Sequence, residues 1–153
     1  MTIPQFGLPQ DAIQFIAVFS RFEFALKRGG FCSGKKGAVA EANWSGFASQ
    51  LGKRFFPAME GNRETEEIIL HPPGKHVRQA DGSARFEHQR QPHNTSTLFE
   101  AVCLVRNNLF HGEKRDMNDR DLRLINGALF ILAAALDACD GRNERLHAVR
   151  KHF

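Results

Sequence analysis

Apolar residues recur at helical spacing in four segments of this 153-residue chain. The clearest case is Leu98, Val102, Val105 and Leu109, which fall at i, i+4, i+7 and i+11 and give one helix a narrow apolar stripe. Because helices that each bury one stripe must pack against one another, the pattern predicts an all-α bundle of four to five helices. The length fits a single domain over residues 1–153.

The predicted helices begin and end at residues that commonly cap helices. Asp11 is a plausible N-cap of the first helix, Gly29 follows its last turn, and Gly112 and Gly141 follow two later helices. In chain order, the predicted bounds are residues 11 to 27 or 28, 39–55, 95 or 97 to 112, and 118–140. The apolar sets read from the pattern are Ile13, Ile16, Ala17, Phe19, Phe24 and Leu26 in the first helix, and Leu122, Ile125, Leu129, Leu132, Ala133 and Leu136 in the fourth.

The middle of the chain lacks helical periodicity. Asp81 and Gly82 form a strong tight-turn signal between two short polar runs. We therefore expect a small β-hairpin insertion over about residues 66–92, between the second and third main helices. The basic tail, residues 142–153, is expected to form a further short helix.

The cysteines and histidines do not match the spacing of a metal site. Cys32, Cys103 and Cys139 are odd in number and far apart, which favours neither a disulfide framework nor a zinc site. A loose histidine-rich zone also lacks ligand spacing; it comprises His71, His76, His88 and His93. We expect no metal and no cofactor.

The composition predicts a cytoplasmic protein without a membrane segment. The first residues lack the basic start and apolar core of a signal peptide. No apolar run approaches the ~20 residues that a membrane span requires. A net charge of +4 with a pI near 9.3 permits a polyanionic partner without requiring one.

The end of the third predicted helix combines groups suited to RNA cleavage. Asn107 and His111 are i, i+4 neighbours on one helix face, and Arg106 lies between that face and the apolar stripe. RNA supplies its own nucleophile, the 2′-hydroxyl, so a proton-transferring histidine and a phosphate-binding arginine suffice without a metal. By spacing alone, the segment is also compatible with a helix that ends in polar residues satisfying its last carbonyls.

Residues 105–112 resemble the signature of the HEPN superfamily (higher eukaryotes and prokaryotes nucleotide-binding). That signature is an arginine, a polar residue, three further residues and a histidine near the end of the third bundle helix. Arg106, Asn107 and His111 match each of its defined positions. Residues 19–27 also resemble the opening helix of small prokaryotic members.

The resemblance implies a metal-independent endoribonuclease of toxin or defence type, with RNA as substrate. Such proteins form homodimers that join two Arg-x4-His motifs in one cleft, and a toxin is paired with a cognate antitoxin protein. A dimer also answers a geometric difficulty, because Arg106 and His111 lie about 140° apart around one helix. Two alternatives stay open: a non-catalytic HEPN module that binds a nucleotide or a partner protein, and an unrelated helical adaptor.

Several further residues are candidates for supporting roles. Lys114 and Arg115 come three and four residues after His111, so with Asn108 they are predicted to bind substrate. For Glu23 on the first helix there are two interpretations. It either orients Arg106 or forms an i, i+4 pair with Lys27.

Overall fold

Seven α-helices make up most of residues 7–110 and 117–153, the part of the chain that the computed structural model describes. In chain order they are α1 (Gln10–Arg28), α2 (Trp44–Leu51), α3 (Phe55–Met59), α4 (Glu66–Leu70), α5 (Thr95–Phe110), α6 (Asp119–Ala138) and α7 (Glu144–His152). The mostly helical fold is confirmed, whereas the helix count exceeds the four to five expected. Within the described residues, no helix is both long and apolar enough to cross a membrane.

The hydrophobic core is one cluster in which α1 packs against α6 and α7, and α2 packs against α5. Its largest fully buried side chains are phenylalanines, namely Phe15, Phe22, Phe31, Phe47 and Phe99. The chain has 14 Phe and no Tyr. The core therefore gains aromatic volume without hydroxyl groups that would need buried partners.

The face that α1 buries differs from the predicted one. Phe19 and Leu26 are buried as expected, but Ile13 is 48% exposed and Phe24 is 41% exposed. The buried face consists of Ala12, Phe15, Phe19, Phe22, Ala25 and Leu26. Because α1 is apolar on two sides, periodicity alone could not tell which side faces the core.

The fourth predicted helix is confirmed as α6, with a corrected buried face. Asn118 and Asp121 form a capping box: the Asp121 amide donates to Asn118 Oδ1 at 2.9 Å, and the Asn118 amide donates to Asp121 Oδ2 at 3.1 Å. Ile125 and Leu132 are buried as predicted, while Ala133 is exposed. The buried apolar side chains are Leu124, Ile125, Ala128, Ile131, Leu132 and Ala135.

The helix predicted over residues 39–55 is wrong in its bounds. Two short strands, β1 (Cys32–Ser33) and β2 (Glu41–Ala42), pair antiparallel ahead of α2. Asn43 then caps α2 by accepting a hydrogen bond from the Gly46 amide at 2.9 Å.

Gly52 separates α2 from α3. Its φ of +84° lies in the left-handed region, which breaks the helix. Pro57 falls within the first turn of α3, where its missing amide hydrogen costs no helical hydrogen bond.

The predicted hairpin is confirmed. Strand β3 (Lys75–Arg78) pairs antiparallel with β4 (Ala84–Glu87), and Gly82 adopts a φ of +84° in the turn. The insertion is shorter than residues 66–92, however, because α4 buries Ile68 and Ile69 in the core. The apolar run that forms α4 is too short to show helical periodicity, so the sequence pattern places it within the hairpin insertion.

The C-terminal segment is part of the packed structure. Asn143 caps α7 through the amides of Arg145 and Leu146, and Leu146 and Val149 are buried. A Cβ atom placed on Gly29 would lie 2.9 Å from both the Ala25 carbonyl oxygen and the Val149 backbone nitrogen. The close packing of α7 on the end of α1 therefore requires glycine at position 29.

We expect Gly29→Ala to lower the free energy of unfolding by about 1–3 kcal/mol, because the added methyl group meets backbone atoms that cannot rotate away. Urea denaturation followed by circular dichroism measures this change. Gly7→Ala is the matched control, since nothing lies within 4 Å of a Cβ placed there. Equal stability of the two variants would contradict the close packing of α7 on α1.

Candidate functional site

Helix α5 carries the arginine of the predicted motif and is fixed at its start by a reciprocal cap. The Thr97 amide donates to Asn94 Oδ1 at 2.9 Å, and Thr97 Oγ1 accepts from the Asn94 amide at 3.1 Å. Leu98, Val102 and Val105 are buried, which confirms the predicted stripe. Arg106 and Asn107, on the last turn of α5, therefore lie next to a helix face that is fixed in the core.

The guanidinium of Arg106 lies between two aromatic rings. Its central carbon is 5.4 Å from the ring centroid of Phe19 on α1 and 4.9 Å from that of Phe110 on α5. Both contacts are cation–π interactions, which position a cation without neutralising it. The Arg106 side chain is 33% exposed, so a ligand can reach it from solvent.

Glu23 is the acidic neighbour of this arginine. Its Oε2 atom lies 3.7 Å from Nη2 of Arg106, and its side chain is 30% exposed. Of the two interpretations of Glu23, the contact with Arg106 is the one that the structure contains. At this distance and exposure the ion pair is weak, on the order of 1 kcal/mol or less.

Asn107 is joined directly to Arg106. Its Oδ1 atom accepts a hydrogen bond from Nη1 of Arg106 at 2.9 Å. This contact fixes the orientation of the Asn107 amide group, with its nitrogen available as a donor. Arg106 and Asn107 therefore form one polar unit on the last turn of α5.

Asn108 has a different role in the structure. Its Nδ2 atom donates to the Gly74 carbonyl oxygen at 3.0 Å and so ties the start of the hairpin to α5. This hydrogen bond places the hairpin beside the Arg106–Asn107 unit. A role for Asn108 in substrate binding stays a prediction.

Three predicted site residues, His111, Lys114 and Arg115, lie outside the described residues. Their roles, and the pairing of His111 with Arg106, therefore stay predictions. From the predicted set, the structure brings together Glu23, Arg106 and Asn107.

The thiols of Cys103 and Cys139 are poor nucleophiles and poor metal ligands. Burial, with a smaller contribution from Glu23, raises the pKa of Cys103 to about 12. Burial and the neighbouring Asp140 raise the pKa of Cys139 to about 11. Over residues 7–110 and 117–153, no three His, Cys, Asp or Glu side chains cluster as metal ligands.

A cavity of about 420 Å³ opens beside Asn107, and we call it the α5 cavity. One wall is a row of α5 side chains at i, i+4, i+7 and i+11, and the opposite side comes from α2 and from β3. Its lining includes Ser96, Glu100, Cys103, Asn107, Trp44 and Lys75.

Two parts of this site were missed in the sequence. The row from Ser96 to Asn107 has helical spacing and was in principle readable, but its polar side chains resemble any solvated helix face. Phe19 was assigned to the core, and its contact with Arg106 depends on how α1 and α5 pack. No pattern within either helix carries that information.

No family model, curated protein or solved structure matches this chain. Membership of the HEPN superfamily therefore stays a prediction that rests on the residues of the motif.

We expect alkylation at about pH 8 to modify Cys32 and to spare Cys103 and Cys139 in the folded protein, because only the thiolate reacts. Cys32 is exposed, while the raised pKa values keep the other two thiols protonated. Peptide mapping by mass spectrometry identifies the labelled residues. A Cys32→Ser variant is the control, and rapid labelling of Cys103 in that variant would show that its thiol is not shielded by burial.

Proposed function

We propose that this chain is a metal-independent endoribonuclease of toxin or defence type. Its site combines Arg106, Asn107 and His111 from two copies of the chain. The observation that carries the proposal is the state of Arg106: held between two rings, paired only loosely with Glu23, and open to solvent. Such a cation suits a phosphate group, two of whose oxygens accept parallel hydrogen bonds from a guanidinium group.

The chemistry needs one proton acceptor, one proton donor and one fixed cation. The RNA 2′-oxygen attacks the adjacent phosphorus while its proton passes to a base, and the bond to the 5′-oxygen breaks as that oxygen takes up a proton. The products are a 2′,3′-cyclic phosphate and a 5′-hydroxyl. His111 acts as general acid or base, and Arg106 stabilises the charge on the phosphate. Asn107 positions the reacting groups.

Glu23 acts through Arg106 as a positioning residue. A phosphate that approaches the guanidinium competes with the carboxylate, and an ion pair of 3.7 Å is readily exchanged. The same contact also favours the alternative, a non-catalytic HEPN module that binds a nucleotide or a partner protein. In that case Arg106 binds an anionic group of the ligand without cleaving it.

The outward face of α1 suits the second copy. Ile13, Ala17, Ser20 and Phe24 lie within about 60° of one another around the helix, with the 4-3-4 spacing of a helix–helix seam. Glu23 is adjacent to this stripe and contacts Arg106. Packing of two such stripes would bring the Arg106 units of both copies to the edges of one interface.

We expect Arg106→Ala and His111→Ala each to reduce RNA cleavage in EDTA by about 100-fold or more, as removal of one transition-state contact does elsewhere. Arg106→Lys should cleave RNA little faster than Arg106→Ala, because an ammonium group cannot form the paired hydrogen bonds. The measurement is the initial rate on total RNA and on an oligonucleotide of defined sequence.

Arg54→Ala is the matched control, since it removes an exposed positive charge that does not line the α5 cavity and should leave the rate unchanged. A 2′-O-methyl substrate should resist cleavage because it lacks the nucleophile. Undiminished cleavage by both Arg106→Ala and His111→Ala would disprove the proposal.

We expect the double substitution Ile13→Glu with Phe24→Glu to produce a monomer that no longer cleaves RNA. Both side chains are exposed in the single chain, so its melting temperature should be nearly unchanged. Light scattering gives the mass in solution. Val39→Glu is the control, since Val39 is 82% exposed but lies outside α1. A double variant that stayed dimeric would rule out this face of α1 as the dimer interface.

A further inference from the structure

The α5 cavity and the Arg106–Asn107 unit lie along one row of a single helix. Ser96, Glu100, Cys103 and Asn107 line the cavity at successive turns of α5. Glu100 and Asn107 are separated by seven residues, which is about 10 Å along the helix axis. That separation matches the reach of one nucleotide from the edge of its base to its phosphate.

The aromatic wall of the cavity is rigid. The Trp44 indole packs at 5.6 Å and 23° against Phe22, and at 5.4 Å and 28° against Phe99. Trp44 is also half-buried, so part of its surface stays open to the cavity. A fixed aromatic side chain at a cavity wall gives a planar nucleobase an apolar contact surface.

Glu100 is the acidic side chain of the cavity, and it is exposed. Within the described residues its carboxylate has no hydrogen-bond or ion-pair partner, although it lines the cavity. A carboxylate accepts hydrogen bonds and donates none, so it repels phosphate and selects two neighbouring N–H donors. Among the four RNA bases, only guanine presents adjacent N–H donors, N1–H and the 2-amino group, on its Watson–Crick edge.

We propose that the α5 cavity binds the base of the nucleotide at the cut and that Glu100 selects guanine. The inference rests on the proposed function for the position of the cut, while base binding itself is independent of cleavage. Lys75, which also lines the cavity, attracts a flanking phosphate. Asn107, oriented by Arg106 at 2.9 Å, connects the base to the reacting phosphate.

The chain supplies its own probe, because Trp44 is its only tryptophan. We expect GMP to change Trp44 fluorescence in a saturable way in the full chain, with AMP, CMP and UMP binding about tenfold more weakly or worse. Glu100→Gln should weaken GMP about tenfold and remove the preference. Glu60→Gln makes the same charge change at an exposed carboxylate outside this cavity and should bind as the wild type does.

The outcomes separate this inference from the ribonuclease proposal. If GMP binds selectively through Glu100 but RNA is not cleaved, the base site is correct and the ribonuclease proposal is wrong. If RNA is cleaved through Arg106 and His111 while Trp44 does not respond to GMP, the base site is wrong. The base site is also wrong if the four nucleotides bind alike, or if Glu100→Gln binds GMP as tightly as the wild type.

Discussion

The aromatic cluster around Trp44 is the interaction on which the rest of the structure depends. The ring centroid of Trp44 lies 5.2 Å from that of Phe19, 6.5 Å from that of Phe47 and 5.4 Å from that of Phe99. These rings belong to α1, α2 and α5, so one cluster sets the relative positions of three helices. Phe19 also contacts the guanidinium of Arg106. The placement of the functional arginine is therefore a consequence of core packing, and a core substitution at Phe19 would alter both.

Helix α5 divides its surface among three tasks. Leu98, Val102 and Val105 face the core, the row from Ser96 to Asn107 faces the cavity, and Arg106 projects towards α1. Because all three faces belong to one rigid helix, rotation of α5 about its axis would displace them together. The reciprocal cap at Asn94 and the Asn108–Gly74 hydrogen bond oppose such a rotation from its two ends.

The sequence predicted those features that depend on local physics. The C-terminal end of α1, the hairpin turn at Gly82 and the start of α6 all follow from residues within a few positions of the feature. The predicted N-cap of α1 is wrong, because Pro9 occupies that position and Asp11 lies in the first turn of the helix. The buried face of α1 could not be predicted, because Ile13 and Phe24 are as apolar as the residues that the core selects. The break at Gly52 was missed because the apolar spacing on its two sides continues in phase. Within the site, the motif predicted Arg106 and Asn107 as candidates, but the contact of Glu23 arises from the packing of α5 on α1.

The way in which Arg106 is held bears on what it can do. A buried carboxylate at hydrogen-bonding distance would fix a guanidinium but would also neutralise it, and an incoming phosphate would then have to break a strong pair. Two aromatic rings fix the same group through their quadrupoles and leave its charge available, together with the N–H donors that are not bonded to Asn107. Glu23 Oε2 lies 3.7 Å from Nη2 of Arg106, and the Glu23 side chain is partly exposed. It therefore orients the guanidinium without pairing strongly with it. Arg106 is thus preorganised at little cost to its affinity for an anion, as stabilisation of a developing charge on phosphate requires.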